Sequence, residues 1–318
     1  MIKKMSDYPI AVAGLCLGTV SICGFWSAAV SNKAISDGLS ILGFLIATFF
    51  LIPLLLRFLF YPQLFAENLR EGDFGVVLPN ISMTLMLMSH TLGLVNRGAA
   101  DTLWVLAVAT HIVFFSFFVY HRCRDFKLND LVPSWFVPPV GIVIACLVVP
   151  SPFFLPLAHV LLCVGIISYL ILQPIMLYRL SIGGVIEDMR KPSLAVLAAP
   201  ASLTLAGYLT LVTHLNSLVV LFLFSLSMLN IVSVYLLLFA LSRLPFTPSC
   251  TAFTFPLAIT AVAMYKMSGW IAIQPLFQQY TVYVYAFAFV AGVIATLVVL
   301  YVLWKIIVLI VGRGLVSR

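Results

Sequence analysis

Charge is what this chain of 318 residues has least of: Lys, Arg, Asp and Glu together make up 8% of it, where soluble domains carry about 25%. That deficit excludes an ordinary soluble domain, and a hydrophobic share of 63% identifies an integral membrane protein. The scarcity is also uneven. The stretches 9–30, 76–95, 136–152, 194–213 and 249–265 contain no Lys, Arg, Asp or Glu at all. A charge at the bilayer centre costs about 2.5–3.5 kcal/mol on insertion scales and normally marks an ion or proton relay. Its absence argues against a proton-driven pump with buried acid groups. Catalytic signatures are missing too, with no HExxH, no GxSxG and no carboxylate pair in those stretches, which speaks against an intramembrane enzyme. The six cysteines (Cys16, Cys23, Cys123, Cys146, Cys163, Cys250) form no CxxC and have no histidine at zinc-ligand spacing. They read as small core residues, and no metal or cofactor is expected. Lys3 and Lys4 precede the first apolar stretch, but it runs on to Val30 without a clear small-residue cleavage site. It is therefore expected to remain as the first helix rather than be removed as a signal peptide.

Present in their place are ten apolar segments, roughly 9–30, 36–60, 76–95, 101–121, 136–152, 155–178, 194–213, 216–243, 249–270 and 279–311, each near the ~20 residues that one crossing needs. They leave almost nothing for a soluble domain, so residues 1–318 read as a single transmembrane domain. A proline falls in the first segment of each successive pair, at Pro9, Pro79, Pro139, Pro200 and Pro256, with separations of 70, 60, 61 and 56 residues. The chain thus reads as five copies of one helical hairpin. Odd segments carry the prolines and small residues, such as Gly14, Gly18 and Gly24, while even ones are longer and more apolar; Pro53 and Pro174 are exceptions. Small residues permit close helix approach, and broken backbone at membrane depth needs cover, so the odd helices are expected inside and the even ones outside. Interior prolines bend helices, and Pro79, Pro139, Pro200 and Pro256 are expected to kink the inner helices at mid-membrane. Irregular backbone around a central pathway points to a pore or a transporter.

The net charge is +7, and its placement sets orientation. With a cytoplasmic N-terminus, fourteen basic residues (Lys3, Lys4, Arg57, Arg70, Arg122, Arg124, Lys127, Arg179, Arg190, Lys191, Arg243, Lys305, Arg313, Arg318) fall on the cytoplasmic side and three (Lys33, Arg97, Lys266) on the other. That asymmetry predicts both termini in the cytoplasm of a multi-pass protein of the cell membrane. Clusters such as His121-Arg122-Cys123-Arg124 follow from topology and anionic lipid, and no nucleic-acid partner is expected. Arg179, Glu187, Asp188, Arg190 and Lys191 read as a solvated loop. His90 and His111 read as hydrogen-bonded neutral imidazoles, with a protonation switch as the sharper alternative.

The order and spacing of several motifs carry a resemblance. These are Tyr8-Pro9 followed by Gly14 and Gly18; Leu78-Pro79-Asn80-Ile81-Ser82-Met83-Thr84; Pro133-Ser134-Trp135-Phe136-Val137-Pro138-Pro139-Val140; Gln173-Pro174-Ile175-Met176-Leu177-Tyr178-Arg179-Leu180; Leu197-Ala198-Ala199-Pro200-Ala201; and Ala252-Phe253-Thr254-Phe255-Pro256. Over its whole length the chain resembles the tellurite-resistance/dicarboxylate transporter family, bacterial and archaeal relatives of plant slow-type anion channels. The resemblance implies an all-α fold of ten transmembrane helices with quasi-five-fold symmetry, a pore through each protomer and a homotrimer of independent pores. It also implies a phenylalanine plug, matched by position to Phe255, with Phe253 as the fallback. The sequence departs from many relatives at Gln173, where an acidic residue often precedes the proline, and at Pro256, where bacterial members often have glycine.

With no charge in the inner segments, the pathway is expected to offer the hydroxyls of Ser82, Thr84, Ser202, Thr204, Thr254 and Thr260, together with the positive ends of broken helices. Weak sites of this kind suit passive conduction of monovalent anions, with easily dehydrated nitrate ahead of chloride. A carrier for C4-dicarboxylates such as malate, or for tellurite, is the alternative.

Overall fold

The computed structural model describes residues 6–70, 75–124, 126–184, 186–188, 190–241, 243 and 245–315. Lys3, Lys4 and Arg318 lie outside them, as do the side chains of Cys123, Arg70 and Arg313. The long elements are α1 (Val12–Ala29), α2 (Lys33–Phe60), α3 (Pro79–Leu92), α4 (Arg97–Arg124), α5 (Pro133–Leu147), α6 (Leu155–Ile182), α7 (Ala198–Leu211), α8 (Ser217–Leu241), α9 (Thr254–Ala272) and α10 (Thr281–Leu315). A short helix, Pro62–Arg70, follows α2.

Three outer helices begin on asparagine caps, which satisfy amide groups that have no partner within the helix. Asn32 Oδ1 accepts from Ala34 and Ile35 at 3.0 and 3.2 Å, Asn96 Oδ1 from Ala99 at 2.9 Å, and Asn216 Oδ1 from Leu218 at 2.9 Å.

Eight helices among the described residues are long and apolar enough to span a membrane. Ten membrane-length helices were expected, and the third and fifth segments depart from that. Helix α3 has 14 residues because Pro79 occupies its first position. The segment α5 is not one helix: it runs through 3-10 turns at Pro133–Phe136 and Gly141–Val143 and α-helical turns at Val137–Val140 and Ile144–Leu147. Pro138 and Pro139 cannot donate, and their rings clash with the carbonyls four residues back, so a continuous α-helix cannot pass through them.

The proline kinks also take a different form. Pro200 and Pro256 are the third residues of α7 and α9, each following a stretch of 3-10 helix, Lys191–Leu197 and Pro248–Phe253. Pro9 lies ahead of α1. In each case the proline sits at or before the start of the α-helix, where the amide it lacks had no helical partner. At α7 and α9 the irregularity is a change of helix type at the entrance and not a bend halfway along, whereas α5 is broken along its length.

Contacts link α1 to α3, α3 to α5, α5 to α7, α7 to α9 and α9 back to α1, so the inner segments close a ring. Each outer helix packs on the inner segment before it. Burial follows the same division. Within their most apolar windows α1, α7 and α9 are 67–78% buried, whereas α2, α4, α6, α8 and α10 are only 22–33% buried and present residues such as Phe49, Leu218 and Val282 outward. Helices α1 and α9 pack closely at Gly18, where a Cβ would collide with Thr254 Cβ and lie 2.9 Å from its carbonyl carbon. Thr254 Oγ1 donates to Gly14 O at 2.9 Å across the same contact.

The broken backbone of α5 is covered from outside. On α4, Trp104 and His111 stand seven residues apart, on one helix face. Trp104 Nε1 donates to Ala145 O at 3.2 Å, and His111 Nε2 lies 2.9 Å from Pro138 O. Both side chains are fully buried. A neighbouring helix thus supplies the hydrogen bonds that the irregular segment cannot make internally.

Candidate functional site: the cavity at the entrance of the inner ring

A cavity of about 350 Å³ lies where the inner segments begin. Ile10, just ahead of α1, and Gly14 within it line the cavity, as do Val77, just ahead of α3, and Asn80 in its first turn. From α5 come Phe136 and Val140, and from the entrance of α7 come Val196 and Pro200. The entrance of α9 adds Thr251 and Phe255. Every inner segment therefore reaches this space with its N-terminal end. Helix N-termini carry partial positive charge, which favours anions.

Phe255 lines the cavity and Phe253 does not. The two are equally buried, at 7% exposure, but a helix turns about 100° per residue, so positions two apart face nearly opposite ways. Both belong to the same apolar core cluster, with Ala195 and Leu197 among its members. Of the four prolines, Pro200 and Pro256 line the cavity, whereas Pro79 and Pro139 lie beside it in sequence without being part of its wall.

The hydroxyls expected along the pathway are placed elsewhere. Ser82, Thr84, Ser202, Thr204, Thr254 and Thr260 all have zero exposure, and none lines the cavity. Each is within bonding distance of a carbonyl three or four residues back, such as Thr84 to Asn80 O at 2.7 Å, Ser202 to Ala198 O at 2.7 Å, Thr204 to Pro200 O at 3.0 Å and Thr260 to Pro256 O at 2.8 Å. Carbonyls near a helix break attract such bonds from adjacent hydroxyls. The polar residues of the wall are instead Asn80, Ser134, Ser193, Ser249 and Thr251.

Two further residues belong to the wall although the sequence pattern placed them in a solvated loop. Glu187 and Arg190, from the connection between α6 and α7, are the charged residues lining the cavity. Lys191 pairs with Asp188 within that connection. Arg179 is buried and donates to Gly184 O at 2.9 Å and Asn129 O at 3.3 Å, tying the α6–α7 connection to the α4–α5 connection. The charge of Glu187 and Arg190 gives no sequence signal that separates a cavity rim from a solvated loop.

His111 is buried outside the cavity wall, with Nδ1 2.9 Å from Ser82 Oγ. A carbonyl only accepts, so Nε2 carries the hydrogen donated to Pro138 O, while the single Ser82 hydroxyl hydrogen serves either Pro79 O, 2.8 Å away, or Nδ1. His90 is exposed at the end of α3.

The sequence model of the family described as voltage-dependent anion channel matches residues 7–307, nearly the whole chain. The chain belongs to the voltage-dependent anion channel family. It is consequently a multi-pass membrane protein of a family of anion channels and transporters. A sequence search against curated proteins finds none that matches the chain. Family membership agrees with a charge-poor inner ring whose entrance gathers helix N-termini.

Proposed function

We propose that the chain is a passive channel for monovalent anions, nitrate and chloride among them, and that Phe255 closes its pore. The observation that carries this reading is the cavity itself: all five inner segments begin at it, and Phe255 stands in its wall. Each helix start favours a nearby anion by roughly 0.3–1 kcal/mol. Five such ends attract an anion without a single tight site, and weak, distributed attraction is what conduction requires.

In this reading all ten segments cross the cell membrane, α3 and α5 included, with quasi-five-fold symmetry about the pore. The fourteen-to-three basic asymmetry puts both termini and the cavity mouth in the cytoplasm. The outward apolar side chains of the even helices meet lipid, and protomers assemble as a homotrimer with one pore each. No catalytic step is involved. Transport of a dicarboxylate or tellurite by a coupled carrier is the competing mechanism for the same fold.

Reconstitution in a planar bilayer with ion substitution tests the proposal. Ohmic currents are expected, with reversal potentials that follow the anion gradient and a nitrate permeability above that of chloride. Cation selectivity, or flux that saturates and depends on a coupled ion, would contradict it.

A further inference from the structure

We infer that Lys266 forms a second anion site in the half of the inner ring beyond Phe255, where its ammonium group attracts a monovalent inorganic anion such as nitrate or chloride. The inference rests on reading the ring as an anion pathway and names the side chain that serves its far half.

Lys266 is the only Lys, Arg, Asp or Glu in α1, α3, α5, α7 and α9. Charged side chains within membrane segments are normally paired or line an ion path. Among the described residues the Lys266 ammonium group has no hydrogen-bond or ion-pair partner, and its nitrogen is not buried. It is free to meet an ion.

Direction follows from helix geometry, because eleven residues make about three full turns. Thr254 and Tyr265, eleven apart, both reach α1: Thr254 Oγ1 donates to Gly14 O at 2.9 Å and Tyr265 Oη to Ala28 O at 2.8 Å. Phe255 and Lys266 each come next in the chain, so they share a face as well, and Phe255 faces the cavity. At 1.5 Å per residue, Lys266 stands about 16 Å further along α9 than Phe255. Exposure follows the same line. Between Ala261 and Ile271 the residues that are not buried are Val262, Tyr265, Lys266 and Gly269, at the i, i+3, i+4, i+7 spacing of one helix stripe. Helix α10 covers α9 from outside while α1 and α7 flank it, so the stripe opens toward the ring interior. A Cβ on Gly269 would have no atom within 4 Å, which leaves space beside Lys266.

The site also answers an electrostatic need. Where the inner helices start, their dipoles favour an anion, but their C-terminal ends carry the opposite partial charge and repel one. A single ammonium group, a compact point charge, offsets that repulsion at the far end. One unpaired charge gathers anions there without a cage of ligands to hold them, as conduction requires.

Gly269→Cys provides a reporter three residues from Lys266, a neighbour on the helix surface. The purified full chain carrying it is reacted in detergent with two methanethiosulfonate reagents, one bearing a sulfonate and one a trimethylammonium group. Rates are divided by those with a free thiol and read against the original chain, whose own cysteines set the background. The sulfonate reagent should then react several-fold faster. Lys266→Gln should abolish that preference, Lys266→Glu should reverse it and Lys266→Arg should keep it. In bilayers, in the Phe255→Ala background, Lys266→Gln should lower nitrate conductance several-fold at about 0.01 M salt and little at about 1 M, as the Debye length falls from roughly 30 Å to roughly 3 Å. A Gly269→Cys thiol that neither reagent reaches, a preference that survives Lys266→Gln, or a low-salt conductance unchanged by it would overturn the site. Current in Phe255→Ala with no charge preference at residue 269 overturns the Lys266 site and leaves the channel standing. A preference that depends on Lys266, without any anion current, upholds the site and overturns the channel.

Discussion

Phe253 and Phe255 differ in direction and not in burial, and that direction comes from two residues' worth of helical rotation at the entrance of α9. The same scale explains His111. Its imidazole joins Ser82 of α3 to the Pro138 carbonyl of α5, so its removal leaves a buried carbonyl without that donor. Leaving a buried polar group unsatisfied costs about 1–3 kcal/mol, and His111→Leu should lower thermal stability in detergent by that order. His111→Gln, which can still donate near Pro138, should recover part of the loss; equal destabilisation by both would show that ring volume and not the hydrogen bond matters. Gly18 makes a different point. A methyl group there meets the backbone of Thr254, which cannot yield as a flexible side chain would. Gly18→Ala should therefore destabilise the chain measurably, by roughly 1–3 kcal/mol as overpacking does, whereas Gly24→Ala, whose Cβ would have nothing within 4 Å, should not.

The inner elements owe their shape to prolines in their first turns. Because Pro256 sits at the third position of α9 after a 3-10 stretch, Pro256→Ala should change thermal stability by less than about 1 kcal/mol, well short of the ~3 kcal/mol associated with proline inside a helix. A large change in melting temperature would restore the mid-helix kink. The sequence pattern made the existence and alternation of the elements readable, since apolar length and small-residue content separate α1, α7 and α9 from α2, α8 and α10. It did not reveal that the prolines act at helix starts, because the preceding residues continue as 3-10 helix with the same apolar composition. Nor did it place the six hydroxyls, whose bonding to their own carbonyls depends on the local backbone. Glu187 and Arg190 were hidden by their charge, which looks the same in a solvated loop and on the rim of a cavity. The family resemblance pointed to Phe255 with Phe253 as the fallback, and of the two Phe255 lines the cavity.

Across the whole molecule, burial and charge divide it into a covered inner ring and an apolar outer surface. Leu229, midway along α8 and 56% exposed, should face hydrocarbon, so Leu229→Lys should lower membrane insertion by about 2.5–3.5 kcal/mol, while Leu229→Phe should not; an insertion assay in microsomes reads the difference. We propose that anions pass through the cavity and that the Phe255 ring closes the way beyond it. A large apolar side chain can gate by keeping the lumen dry. Bilayer recordings of the original chain, Phe255→Ala and Phe253→Ala at equal protein incorporation test this directly. Phe255→Ala should raise anion conductance at least about tenfold, equivalent to removing a barrier of about 1.4 kcal/mol, with Phe253→Ala near the original level. Two silent variants, or an increase confined to Phe253→Ala, would contradict the claim.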